Sequence, residues 1–119
     1  MTKWKRTHHC GNVRKNHVGQ TVTLNGWVNR RRDLGQVIFL DLRDRSGVVQ
    51  IVLDPEVLGS EQFALAERLR SEFVISVQGT VMERPEGQVN ASMQTGEVEL
   101  HVSTLAVLSE AKTPPFHIH

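Results

Sequence analysis

A chain of 119 residues suffices for one domain with a modest core, and an apolar content of 39% excludes compositional disorder. Its formal net charge of +1 points to no partner by itself, and no run is long and apolar enough to span a bilayer. The single cysteine, Cys10, excludes an internal disulfide and suits a reducing cytoplasm, and "MTKWKRTHHCGN" lacks the apolar centre of a signal peptide.

In chain order, "QTVTLNGWVN" (20–29) alternates, with Val22, Leu24 and Val28 on one face. Gly26 falls on that face, where a barrel strand bends or another backbone comes close. "VIFLDLRD" (37–44) puts Ile38, Leu40 and Leu42 in step, Ser46-Gly47 signals a turn, and "VVQIVLD" (48–54) puts Val49, Ile51 and Leu53 together. Asp54-Pro55 stops that strand. The period then changes: Ser60 is the expected N-cap of one short helix with Phe63, Ala66 and Leu69 on its apolar face. Strands resume at "FVISVQGTVMER" (73–84) and, after a polar loop holding Pro85, Gly87 and Gly96, at "EVELHVSTLAVL" (97–108).

Five strands with a helix between the third and fourth predict an all-β OB-fold, a five-stranded Greek-key barrel. An SH3-like barrel is the competitor, but it has no need of that helix. Residues 1–108 are read as the barrel domain. "KTPPFHIH" makes 109–119 a linker toward a further domain.

Charge is unevenly spread. Residues 1–32 carry eight Lys or Arg and no Asp or Glu, whereas the remaining 87 carry six basic and thirteen acidic side chains. The alternation places Phe39, Asp41 and Arg43 outward on the second strand, Val48, Gln50 and Val52 outward on the third, and Glu97, Glu99 and His101 outward on the last. An outer aromatic (Phe39) beside an amide (Gln50) and the block Arg30, Arg31 and Arg32 is the pattern of a surface for single-stranded nucleic acid. The ring stacks on a base, the amide reads a base edge and the cations meet phosphates.

His8, His9 and Cys10 are adjacent rather than spaced as zinc ligands, so no metal site is expected. Asp41 and Asp44 are read as partners of neighbouring arginines or as turn-shaping residues, and Trp4 and Trp27 as packing residues. No nucleophile elbow, phosphate-binding glycine loop or metalloprotease motif occurs, and no catalytic residue is assigned.

"GWVNRRRDLGQVIFLDLRDRSGVVQIV" (26–52) resembles the N-terminal anticodon-binding domain of bacterial-type aspartyl-tRNA synthetase. The resemblance extends to "HCG", "RSEFVISVQGTV", "TGEVEL" and "TPPF". It implies that Phe39 stacks on the central anticodon base, a uracil, and that Gln50 hydrogen-bonds it. It also implies that Arg32 contacts backbone and base edges, that Glu99 faces the first anticodon base, and that Arg84 and Gln88 approach the third. Pro85 and Gly87 depart from the family's pattern in that loop.

The implied partner is the anticodon stem-loop of aspartate tRNA, with asparagine tRNA left open. The implied parent is a cytoplasmic, homodimeric ligase whose ATP and Mg²⁺ belong to a catalytic domain not contained in these residues. This domain itself is expected to hold no cofactor, to be inactive and monomeric, and to meet no membrane. The alternative is a free-standing OB-fold that binds single strands or a protein.

Overall fold

Apolar side chains at every second position need a shared interior, and five strands supply it by closing on themselves. The computed structural model of the protein describes residues 7–84 and 95–109. Its strands are β1 (Thr21–Leu34), β2 (Val37–Asp44), β3 (Gly47–Leu53), β4 (Val74–Glu83) and β5 (Val98–Ser109). They form a closed barrel in the order β1-β2-β3-β5-β4. All pairings are antiparallel except β3 with β5, which run parallel through three residue pairs: Gln50–Glu99, Ile51–Leu100 and Val52–His101.

The interior is the set that the alternation picks out. Val22, Leu24 and Val28 meet Ile38, Leu40 and Leu42, then Val49, Ile51 and Leu53, Ile75, Val77 and Val81, and Val98, Leu100 and Val102. Gly26 is a point of close approach, as expected: a Cβ there would lie 2.5 Å from the carbonyl oxygen of Arg43.

Three local features differ from the sequence reading. First, β1 does not stop at Asn29 but continues to Leu34, carrying the arginine triplet into the sheet. The run has no apolar residue between Val28 and Leu34, and its register with β2 shifts between Val28 and Arg30, so simple alternation hides it. Second, the expected helix, α2 (Ser60–Glu67), is preceded by a further short one, α1 (Pro55–Leu58). The Asp54 side chain accepts from the Glu56 N–H at 2.9 Å and Pro55 occupies the first turn. Gly59, at φ 85°, then breaks the chain's direction. Third, Gly59 is the N-cap of α2 and Ser60 lies inside the helix, because the break supplies the cap position. Of the expected apolar face, Ala66 and Leu69 are buried and Phe63 packs against the core, with Leu69 just beyond the helix end.

The segment before β1 is tied to the β2–β3 turn by polar contacts. The Cys10 N–H donates to Asp44 Oδ2 at 2.8 Å, the Gly11 N–H to Ser46 Oγ at 2.8 Å and the Ser46 N–H to Asp44 Oδ1 at 2.8 Å. Burial pushes the Asp44 carboxyl up, but hydrogen bonds from the Ser46 hydroxyl and from the Cys10 and Ser46 amides outweigh it and hold the group below the usual carboxylate range. A depressed pKa gives stability that is fully present above the unfolded value, about 3.9, and is lost as pH falls through the folded one. Asp44→Ala should therefore cost about 1–3 kcal/mol at neutral pH. The gap to wild type should narrow on acidification, as read by denaturant melts across a pH series. A gap that is the same at every pH would mean that the carboxylate's charge contributes nothing.

Candidate nucleic-acid interface

Residues paired across neighbouring strands share a face of the sheet. Two rows therefore cross the outside of the barrel. One runs Arg30, Asp41, Gln50, Glu99 and Met82, and the other Arg32, Phe39, Val52, His101 and Thr80. The expected outer face exists, and it carries Arg30, Arg32, Phe39, Gln50 and Glu99 together.

The triplet does not act as one block. Alternation sends Arg31, the partner of core residue Leu40, to the other side from Arg30 and Arg32. There its guanidinium grips Asp33 through two bonds of 2.7 and 2.9 Å. It also donates to the carbonyls of Glu67 (3.0 Å) and Leu69 (2.7 Å) at the end of α2. Carbonyls at a helix C-terminus lack intrahelical partners, so Arg31 caps α2 and fastens the β1–β2 hairpin to it.

On the outer face, the groups read as exposed are linked to one another. Arg32 Nη2 donates to Gln50 Oε1 at 2.8 Å, Gln50 Nε2 donates to Glu99 Oε1 at 2.9 Å, and His101 Nε2 lies 2.7 Å from Glu99 Oε2. The Arg32 guanidinium carbon sits 5.9 Å from the centroid of the Phe39 ring, within cation–π range. Phe39 is half-buried and His101 partly exposed, but Gln50, Val52 and Glu99 are buried, at 3%, 6% and 6% exposure. Outward direction along a strand thus does not amount to exposure here. Gln50 and Glu99 are on the predicted face but reach water little until something displaces their partners.

Arg84 also departs from a loop residue reaching into solvent. It is buried just past β4, and its Nε donates to the Val98 carbonyl at 3.2 Å. Burial pushes its pKa down, while the charges of Glu99 and Asp41 push it up and that of Arg32 pushes it down, so the four groups share one neighbourhood. Gln88 lies outside the described residues, as do Trp4 and the 110–119 segment. His101 was given no role from sequence, although its spacing of two from Glu99 on one strand puts it on the same face.

Other expectations meet local facts. The His9 Nδ1 lies 3.7 Å from Asp44. Cys10 is buried. No group of three or more His, Cys, Asp or Glu that could hold a metal ion occurs among the described residues. No helix among them is long and apolar enough to cross a membrane.

A five-stranded closed barrel with short helices between β3 and β4 and an aromatic–cation row on the outer surface of β1 and β2 defines an OB-fold. Residues 22–108 match the family model described as an OB-fold nucleic acid binding domain, of the tRNA anti-codon type. The chain belongs to that family.

Its curated relatives include the aspartate–tRNA(Asp/Asn) ligase of Anoxybacillus flavithermus. The two are 57% identical over 113 residues, covering 95% of this chain and 19% of the relative. The aspartate–tRNA ligase of Streptococcus suis is 58% identical over 114 residues, covering 96% and 19%. The chain thus spans about a fifth of the length of the curated relatives it matches.

Among solved structures, the asparaginyl-tRNA synthetase from Pyrococcus horikoshii complexed with asparaginyl-adenylate superposes with a TM-score of 0.76 at 32% identity. The match covers 93% of this chain and 24% of that one. An OBody bound to hen egg-white lysozyme gives 0.78 at 27% identity, covering 93% and 100%.

Proposed function

We propose that this domain binds the anticodon loop of a tRNA, aspartate tRNA first, as the recognition module of an aspartate–tRNA ligase. The observation that carries the reading is the row in which Arg32 lies beside Phe39, with the Gln50 amide hydrogen-bonded to that arginine. This places a stacking ring, a cation and a base-reading amide on one patch. The high identity to aspartate–tRNA ligases across nearly the whole chain supports the choice of tRNA over other single strands. In this reading the ligation chemistry, with its ATP and Mg²⁺, its dimer contacts and its cytoplasmic setting, belongs to the ligase as a whole. The domain supplies the choice of tRNA.

The test is titration of the purified chain with a fluorescent anticodon stem-loop and with hairpins of altered loop sequence, at several salt concentrations. Phe39→Ala should weaken binding by about 1–3 kcal/mol whatever the central base, because stacking accepts any base. Arg32→Ala should flatten the log–log salt dependence by about one unit if its cation meets a phosphate. Equal affinity for every single strand would favour a general single-strand binder. If Phe39→Ala binds as wild type but melts early, the ring is core and the face is misassigned.

A further inference from the structure

On one side β1 runs past its neighbour. Its ladder with β4 ends at Trp27–Val74, and Val28 is closed off by the Phe73 carbonyl and the Glu72 N–H, each at 2.8 Å. From Arg30 to Leu34 the strand pairs with β2 alone among the described residues, and a strand with one partner is the weak margin of a sheet. Side chains do little to secure this arm. Of residues 29–34 all but Arg31 are exposed, apolar Leu34 at 55% among them. A cleft of about 290 Å³, lined by Asp33, Gly35, Gln36, Pro55 and Phe63 among others, opens beside the hairpin tip and the helices.

Arg31 is the side chain that reaches from the arm to α2. One guanidinium nitrogen donates to the carbonyls of Glu67 and Leu69 at 3.0 and 2.7 Å, and the other two are held by the Asp33 carboxylate at 2.7 and 2.9 Å. The planar fork is thus fixed on both sides. Arg32 makes its own bond to Gln50, but that bond lies on the outer face, where an incoming ligand would displace it. The bonds of Arg31 lie on the opposite side and stay in place.

We infer that Arg31 is a positioning residue for nucleic-acid binding: it ties the exposed arm of β1 to the C-terminus of α2, holds Arg32 beside Phe39 before RNA arrives, and contacts no RNA itself. This rests on the nucleic-acid reading above. Releasing the arm lowers the fraction of molecules ready to bind, and apparent affinity falls by that fraction. The number of phosphates met in the complex does not change, so the salt dependence stays as it was.

The experiment titrates an anticodon stem-loop at several salt concentrations into wild type, Arg31→Ala, Arg31→Lys, Asp33→Ala, Arg32→Ala and the Arg31→Ala/Arg32→Ala double variant, each first checked by thermal melting. Arg31→Ala should weaken binding about tenfold, as for a tenfold smaller competent fraction, with an unchanged salt slope. Arg31→Lys keeps the charge but not the fork and should weaken binding likewise. Asp33→Ala should also weaken it, because the fork loses half its support. Were Arg31 a phosphate contact, removing that competing carboxylate would tighten binding instead. In the Arg32→Ala background, Arg31→Ala should cost little, since the group it positions is gone, whereas general damage to the fold would add in full.

A flatter salt slope in Arg31→Ala, tighter binding by Asp33→Ala, or full additivity in the double variant overturns the inference. Hydrogen exchange in the free domain needs no RNA. Arg31→Ala should speed exchange of the arm amides that bond to β2 and leave the interior strands as they are. Unchanged exchange in the arm overturns the tether alone. A wild-type domain that binds no hairpin overturns the reading of the face, and with it the function inferred for Arg31.

Discussion

Gly79→Ala is expected to cost more than about 3 kcal/mol, which for a domain of this size lowers the melting temperature by roughly 12–24 °C. Gly79 lies in β4 where the β4–β5 register slips between Gln78 and Gly79, and β5 crosses there with no gap. A methyl group at this position would sit 2.2 Å from the carbonyl oxygen of His101 and 2.8 Å from the Cα of Val102. Both neighbours are main chain, so no side chain can rotate away. Relief requires β5 itself to move, and β5 carries Glu99, His101 and buried Leu100. The variant should therefore lose hairpin binding along with stability, as measured by thermal melts and by titration at low temperature. A melting point within a few degrees of wild type would show that β5 shifts easily.

Ile51→Ala should cost about 2–5 kcal/mol, the usual range for removing a buried aliphatic side chain and leaving a cavity. Ile51 is fully buried and stands at the middle of the short parallel seam, paired with Leu40 on one side and Leu100 on the other. It belongs to the interior set, yet Gln50 and Val52 flank it on the same strand. Denaturant unfolding gives the stability loss. Saturating hairpin should recover part of it by mass action if the face still forms in the folded fraction. A loss below about 1 kcal/mol would mean that neighbouring side chains collapse into the space.

The interior was readable because period-two alternation depends only on which side chains avoid water. Every apolar set from Val22 to Val102 went where its spacing sent it. The arginine triplet resisted the same treatment. With no apolar residue between Val28 and Leu34 to mark a face and a slipped register at Val28/Arg30, nothing in "NRRRDL" tells that Arg31 turns to the helix while Arg30 and Arg32 stay outside. The turn α1 was equally hidden, since the four residues Pro55–Leu58 are too few to show a period.

At the outer face, alternation gave the direction of Phe39, Gln50 and Glu99 but not their cover. Burial of Gln50 depends on an arginine eighteen positions before it and a carboxylate forty-nine after it. Such contacts follow from barrel closure, which no local window contains.

That closure also sets when the domain can begin to work. The face draws Arg32 from the first strand and Glu99 and His101 from the last, and the three residue pairs joining β3 to β5 complete it. On the ribosome, β1, β2 and β3 emerge as a meander that already carries Phe39 and Gln50 but leaves the amide free to lie either way. Only when β5 is made and slides in parallel to β3 does the amide acquire its direction. A nascent chain, or one cut ahead of β5, therefore carries Phe39 and Gln50 without the carboxylate that holds the amide.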